Sequence, residues 1–297
     1  RDLVLEQLPE LTPGQILLEP MRRNTAPCIG WATYHIYAKN PNANILVTPA
    51  DHLILQEDAF DEAICRSLDY VKAHPKLVTL GVRPSRPETG YGYIQFTDIE
   101  DEHFVKVKTF TEKPNIEMAK VFYESGEFLW NSGMFAWNVQ TILDAFHQYL
   151  PSLTSILDEV KGAYATDEEQ SRVSQVFSEC PNISIDYAVL EKADNVMVLP
   201  VDFGWADLGT WGSLYELKRE EPRANVALHT KALFYEAEGN IVSLDGDPEK
   251  QLLVVQGIND CIVAQSKGVL LICKRDEEQR IKEFMGEASV QFDKKFD

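Results

Sequence analysis

Residues 45–48 are a continuous apolar run, Ile45-Leu46-Val47-Thr48, stopped at Pro49 and followed closely by Asp51 and His52. A short run without alternation suits a strand covered on both faces, and proline cannot donate to a ladder. Behind it, Phe60, Ile64, Leu68 and Val71 step at helical spacing over residues 58–73, and residues 77–82 form another apolar strand. Strand, helix and strand in this order predict an α/β fold built on a mostly parallel sheet with helices on both faces. Ligands of such sheets bind beyond the carboxyl ends of the strands, where Asp51 stands.

The rest of the chain divides in texture. Residues 14–18 read as a short strand, and a helix runs from Pro27 through Ala38 with Asn24 or Thr25 as its cap. Strands are expected at 93–96, 104–109 and 196–201, with helices at 116–124, 185–192 and 210–218. Helices at 139–149, 152–161 and 168–179 are rich in Glu, Asp, Ser and Gln and are expected outside the core. After Pro222 come short strands with regular turn signals (226–228, 233–234, 240–244, 252–256, 261–265 and 269–273) and a closing helix at 277–285. The expected domains are therefore residues 1–221 and a small β module, residues 222–297. Arg1 opens a short amphipathic helix (Leu3, Leu5, Leu8) that reads as the continuation of something already under way.

Charge narrows the function. Lys and Arg total 28 against 47 Asp and Glu, a net charge of −19. Nucleic acid and anionic membrane both need a basic patch, so neither is an expected partner. A phosphorylated ligand would need local cations, helix N-termini or a divalent metal to offset the field. The five Cys are scattered and odd in number, without a CxxC pair, which fits reduced thiols in a cytoplasmic protein. Apolar runs are too short to span a bilayer.

Several segments could carry chemistry. Asp51 reads equally as a turn cap or as a ligand for Mg²⁺, which takes one or two carboxylates with phosphate oxygens and water. Gly90-Tyr91-Gly92-Tyr93 is a turn whose glycines let backbone approach a ligand, or simply a hairpin. Glu112-Lys113-Pro114 pairs a hydroxyl acceptor with a phosphate partner, or is a solvated charge pair. Trp130-Asn131-Ser132-Gly133-Met134-Phe135 sets amide and hydroxyl groups in an apolar wall, as a polyol pocket or a bulged core strand would. Asp207 stands in a Gly-containing turn between Trp205 and Trp211, where an acid needs a partner and a metal is a natural one.

Taken in order, these segments resemble the mannose-1-phosphate guanylyltransferases. The matching pieces are Glu19-Pro20 with Arg23-Asn24-Thr25-Ala26-Pro27, Pro49-Ala50-Asp51-His52, Gly90-Tyr91-Gly92-Tyr93-Ile94 and Phe110-Thr111-Glu112-Lys113-Pro114. They continue with the Trp130 run, Ser184-Ile185-Asp186-Tyr187-Ala188-Val189-Leu190-Glu191-Lys192, and the segment from Gly204 to Trp211. Each motif is modestly specific; their common order is strongly so.

The resemblance implies a Rossmann-like GT-A-type nucleotidyltransferase domain followed by a small β-helix-like domain. It implies attack by mannose 1-phosphate on the α-phosphorus of GTP, releasing pyrophosphate. Asp51 and Asp207 would hold Mg²⁺, and Lys113 would offset phosphate charge. Glu112 and Asn131 would engage the sugar hydroxyls under the backbone of Gly90, Tyr91 and Gly92. Glu19, Asn24, Thr25 and Pro27 would line the guanine site, with Asp186 a further substrate contact or a structural helix-start carboxylate. His52 would support Asp51. Members of the family begin with a strand and a Gly-rich loop, and Arg1 aligns beyond both. The alternatives are a non-catalytic binding or regulatory homologue and a pyrophosphorylase for another sugar 1-phosphate. The β module is the expected surface for a homodimer.

Overall fold

The computed structural model describes residues 1–99 and 103–292, and they fall into two compact units. In chain order the elements begin with α1 (Asp2–Gln7), α2 (Thr25–Lys39), β1 (Asn44–Val47), β2 (Leu53–Ile54), α3 (Glu57–Ala73) and β3 (Leu77–Val82). Next come β4 (Tyr93–Ile99), β5 (Val105–Thr111), α4 (Ile116–Ser125), β6 (Phe128–Asn138), α5 (Val139–Tyr149), α6 (Pro151–Asp158) and α7 (Glu169–Val176). The chain continues through β7 (Val196–Val201), β8 (Trp205–Ala206), α8 (Trp211–Lys218), β9 (Val226–Leu228), β10 (Lys231–Tyr235) and β11 (Ile241–Ser243). It closes with β12 (Leu252–Gln256), β13 (Cys261–Ser266), β14 (Val269–Lys274) and α9 (Ile281–Gln291).

The first unit, Arg1–Pro49 with Gln56–Phe203, is built on a sheet of order β1-β6-β3-β7-β5-β4. The sheet is mixed, which corrects the expected parallel arrangement. Among its described strands only β3 and β7 pair in parallel, while β6 runs antiparallel to β1, β3 and β4. The reason is β6 itself: one long strand lies between β1 and β3, where the alternating pattern suggested direct neighbours. Residues 14–18 also differ from expectation. They hold a 3-10 turn (Pro13–Gln15), with its capping box closed by Thr12 and Gln15, and no strand. Local side-chain capping there satisfies backbone groups that a ladder would otherwise have to take up.

The polar-looking helices 139–176 are also corrected: they carry much of the core. Val139, Ile142, Leu143 and Phe146 of α5, Leu153 and Leu157 of α6, and Val173 of α7 are buried with Trp31 and Trp137. Their Gln and Ser residues occupy the outward faces, while Glu169 is buried and accepts from the Trp31 indole N–H at 2.8 Å, so composition alone misjudged an amphipathic pattern. Residues 185–192 form a π-helical turn (Asp186–Leu190) in place of an α-helix. Such widened turns occur frequently at functional sites.

The second unit, Ala50–Leu55 with Gly204–Asp297, takes in a short insertion from early in the chain. There β2 pairs antiparallel with β8, Leu53 opposite Ala206 and Ile54 opposite Trp205. The ribbon continues as Leu55 N–H donates to the Gly204 carbonyl at 3.2 Å. Gly204 has φ +67°, and a Cβ there would lie 2.7 Å from Cβ of Leu55. Only glycine allows that approach without displacement. Farther on, β9, β11 and β13 pair in parallel, as do β10 and β12, and β14 closes antiparallel on β13. Tyr215, Val226, Ile241 and Ile262 form one buried cluster and Val242, Val255 and Val263 another.

Candidate functional site

The first unit gathers one group of predicted residues around Asn131. Its Oδ1 accepts from Gly133 N–H at 3.1 Å and faces the Thr79 hydroxyl at 3.4 Å. That orientation turns Nδ2 toward Asp186, where it donates to Oδ1 at 2.8 Å. The register between β3 and β6 slips beside this point, and Gly133 sits at φ +71°. The bulge re-aims Asn131 out of the sheet while Ser132 stays buried and donates to the Leu80 carbonyl at 2.7 Å. The motif is therefore a bulged strand, and of its two polar side chains the Ser132 hydroxyl is taken up by the backbone.

Gly92 and Glu112 complete this floor. Asn131 N–H donates to the Gly92 carbonyl at 2.8 Å, and a Cβ on Gly92 would lie 2.5 Å from Oε1 of Glu112. Lys113 follows at φ +42°, in the left-handed region that a residue with a side chain occupies only when its surroundings impose it. Burial pushes the Glu112 carboxyl above its usual value, as does the charge of Asp186, against the opposing pull of Lys113. Burial raises Asp186 too, opposed by Asn131, by Ser184 and by Lys113. Glu191, also raised by burial and by Asp186, adds a third carboxyl. The result is a group of three carboxyls on which the ammonium groups of Lys113 and Lys192 act.

The segment 19–28 is tied to the same region. Thr25 Oγ1 accepts from Ile185 N–H at 2.9 Å and Ala26 N–H donates to the Ile183 carbonyl at 3.1 Å, which fixes the backbone just before Asp186. Asn24, at φ +66°, caps α2 through Thr25 N–H at 2.9 Å. Pro27 is buried in the first turn of α2, where its missing N–H leaves no helix bond unmade. Glu19 is exposed and faces the Cys28 thiol. Burial and the Glu19 charge push that thiol up to about 11.

The second unit gathers the other group. Asp51 and His52 directly precede β2, and Asp207 directly follows β8, so their pairing carries both aspartates to one end of the ribbon. Asp51 is 85% exposed, and its Oδ1 lies 3.9 Å from Nε2 of His52. Trp205 Nε1–H donates to Nδ1 of His52 at 3.0 Å, and the two rings meet edge to face. An indole N–H can only donate, so neutral His52 carries its proton on Nε2, toward Asp51. Burial lowers the His52 pKa, while Asp51 and Asp207 both pull it upward. Leu208, next to Asp207, is held at φ +52°, and Asp207 Oδ1 accepts from Gly209 N–H at 3.2 Å.

Sequence reasoning missed two participants. Glu88 is buried and binds the turn at Gly90, and Trp205 orients His52. The sequence Arg86-Pro87-Glu88 beside the glycine turn was the available signal for the first. No residue pattern announced the second, because it depends on the pairing of distant strands.

The chain is 37% identical over 291 residues to the mannose-1-phosphate guanylyltransferase of Escherichia coli K12, covering 95% of this chain and 60% of that protein. It is 34% identical over 297 residues to the mannose-1-phosphate guanylyltransferase 2 of Escherichia coli O157:H7, with 96% and 60% covered. The chain thus spans about 60% of the length of these curated relatives. Its fold matches the crystal structure of a Thermus thermophilus protein described as a mannose-1-phosphate geranyltransferase, with TM-score 0.79 and 27% identity over 97% of this chain and 88% of that one. Residues 3–223 match the family described as nucleotidyl transferase, and the chain belongs to that family.

Proposed function

We propose that this chain transfers GMP from GTP to mannose 1-phosphate, giving GDP-mannose and pyrophosphate. The observation that carries the sugar assignment is the floor made by Gly92, Glu112, Asn131 and Asp186. Carboxylates held above their usual values in partly buried surroundings call for hydrogen-bond donors, and a polyol supplies several hydroxyls. The names of the curated relatives supply the sugar and the base.

A sugar phosphate is already a nucleophile, so alignment and charge neutralisation are the work to be done. Glu112 and Asp186 would accept from sugar hydroxyls, and Asn131, its amide fixed by Asp186, would hold the register of that floor. Lys113 would offset phosphate charge, and Glu19, Asn24 and Thr25 would serve the guanine. Asp51 and Asp207 offer hard oxygen donors of the kind Mg²⁺ takes, with phosphate oxygens and water completing its shell. Among the described residues no three His, Cys, Asp or Glu cluster to hold a metal. Bound there, Mg²⁺ would neutralise charge on the phosphates.

The division at residues 221/222 stands as part of this proposal, with the parallel ladders of β9 to β13 read as short β-helix coils. A homodimer through that module is supported by Leu233, Tyr235, Leu252 and Val254, all exposed on β10 and β12. Sedimentation as a monomer would overturn it.

Two variants test the roles. Asp207→Asn should abolish most pyrophosphate release, and Glu112→Gln should chiefly raise KM for mannose 1-phosphate. Undiminished turnover in Asp207→Asn would refute the phosphate-side assignment, and an unchanged sugar KM in Glu112→Gln the sugar-side one.

A further inference from the structure

Glu88 is 6% exposed, yet it carries a carboxylate and belongs to none of the groups assigned a ligand above. A buried acid is costly unless it is paired and fully hydrogen-bonded. Its partners are all internal. Arg86 Nη2 donates to Oε2 at 2.8 Å, Gly90 N–H donates to Oε1 at 2.9 Å, and the backbone N–H of Glu88 donates to the Tyr93 hydroxyl at 2.8 Å. The guanidinium of Arg86 lies 5.4 Å from the centroid of the Trp130 ring, and Tyr91 meets Trp130 edge-on at 5.1 Å. With both oxygens engaged, Glu88 is placed to hold chain and not ligand.

What it holds is the turn into Gly92. A glycine-bearing segment has many conformations available, and Oε1 selects one by capturing the N–H two residues on. In that conformation the Gly92 carbonyl meets Asn131 N–H at 2.8 Å and the Glu112 carboxylate rests where a Gly92 side chain would be. We infer that Glu88, braced by Arg86, is the positioning residue that fixes Gly90-Tyr91-Gly92 and so sets Gly92, Asn131 and Glu112 in mutual register for the sugar phosphate. The identity of that ligand rests on the proposed function; the holding of the turn does not. Gly90 N–H, captured by Glu88, is then withdrawn from ligand binding, and Gly92 is the glycine that faces the floor.

The test combines calorimetric titration of mannose 1-phosphate with amide hydrogen exchange at Gly90, in wild type, Glu88→Gln and Glu88→Met. Glutamine keeps an oxygen that can accept the Gly90 N–H, while methionine fills the space without an acceptor. The expected result is a Kd weakened about tenfold or more in Glu88→Met, with Gly90 exchange faster by a similar factor. Glu88→Gln should stay within about threefold on both readouts, even though losing the counter-charge of Arg86 lowers its melting temperature. Lower melting in both variants with Kd and Gly90 exchange unchanged would make Glu88 structural only and overturn the inference. So would an unprotected Gly90 amide in wild type. Should Glu88→Met not fold, Glu88→Ala, which also lacks the acceptor for Gly90 N–H, takes its place with the same expected losses and the same overturning result. Wild-type protein that binds no mannose 1-phosphate overturns the ligand assignment, and Gly90 exchange then still decides whether Glu88 holds the turn.

Discussion

Trp205 donates its indole N–H to Nδ1 of His52 over 3.0 Å, and this contact decides which imidazole nitrogen faces Asp51. Two residues far apart in sequence thereby fix one proton beside a candidate metal ligand. Replacing Trp205 by Phe keeps a ring and removes the donor. Nitrogen-15 NMR should show His52 as the Nε2–H tautomer in wild type and as a mixture in Trp205→Phe, with stability lower by about 1 kcal/mol. A variant still wholly in the Nε2–H form would remove the indole from this role.

Gly204→Ala tests the ribbon that carries both aspartates. The substitution imposes a side chain at φ +67° and a contact of 2.7 Å with Leu55. Destabilisation of about 1–3 kcal/mol is expected from the strained conformation, with added loss from the clash. Chemical denaturation measures it, and a change below about 0.5 kcal/mol would show that the ribbon yields freely.

Cys28 should be a slow thiol despite its exposed position. Its alkylation by iodoacetamide, followed on the Cys28 peptide by mass spectrometry, should rise with pH toward an inflection at about 11. Burial is the larger cause and Glu19 the second, so Glu19→Gln should move the inflection down and speed alkylation at neutral pH. No change in Glu19→Gln would mean the two groups do not sense each other.

Asp186 sets a trade between stability and binding. Its folded pKa is raised, so the stability it contributes is complete below the unfolded value, about 3.9, and is lost as pH rises through the folded one. Asp186→Asn keeps an acceptor for Asn131 without the charge. Its stability relative to wild type should therefore improve from acid to neutral pH, while affinity for mannose 1-phosphate falls. Parallel stability curves across that range would contradict the burial argument.

Local pattern explains what was legible before the structure. The apolar run at residues 45–48, the helical steps of Phe60 to Val71 and the run at 77–82 correspond to β1, α3 and β3, because hydrophobic period reports burial directly. Asn115, Asn138 and Thr210 accept helix-start N–H groups from Met118, Gln140 and Ser213, the kind of capping that residue type signals in advance. Strand direction was not legible: nothing in residues 128–138 says that they enter between β1 and β3 antiparallel to both. Proximity in the site was partly legible. Glu112, Asn131 and Asp186 were separate motifs in sequence, and their convergence depends on a bulge at Gly133 and a π turn after Ile185. Glu88 escaped because its role is read from three hydrogen bonds, while an acid near a proline resembles any surface turn.

The central claim is tested most directly by product stoichiometry. Incubating the chain with GTP, mannose 1-phosphate and Mg²⁺ should release pyrophosphate and GDP-mannose in equal amounts, with neither formed when the sugar phosphate is omitted. Absence of both products from folded protein that binds mannose 1-phosphate and GTP would contradict the account and leave a binding protein with the fold of a transferase.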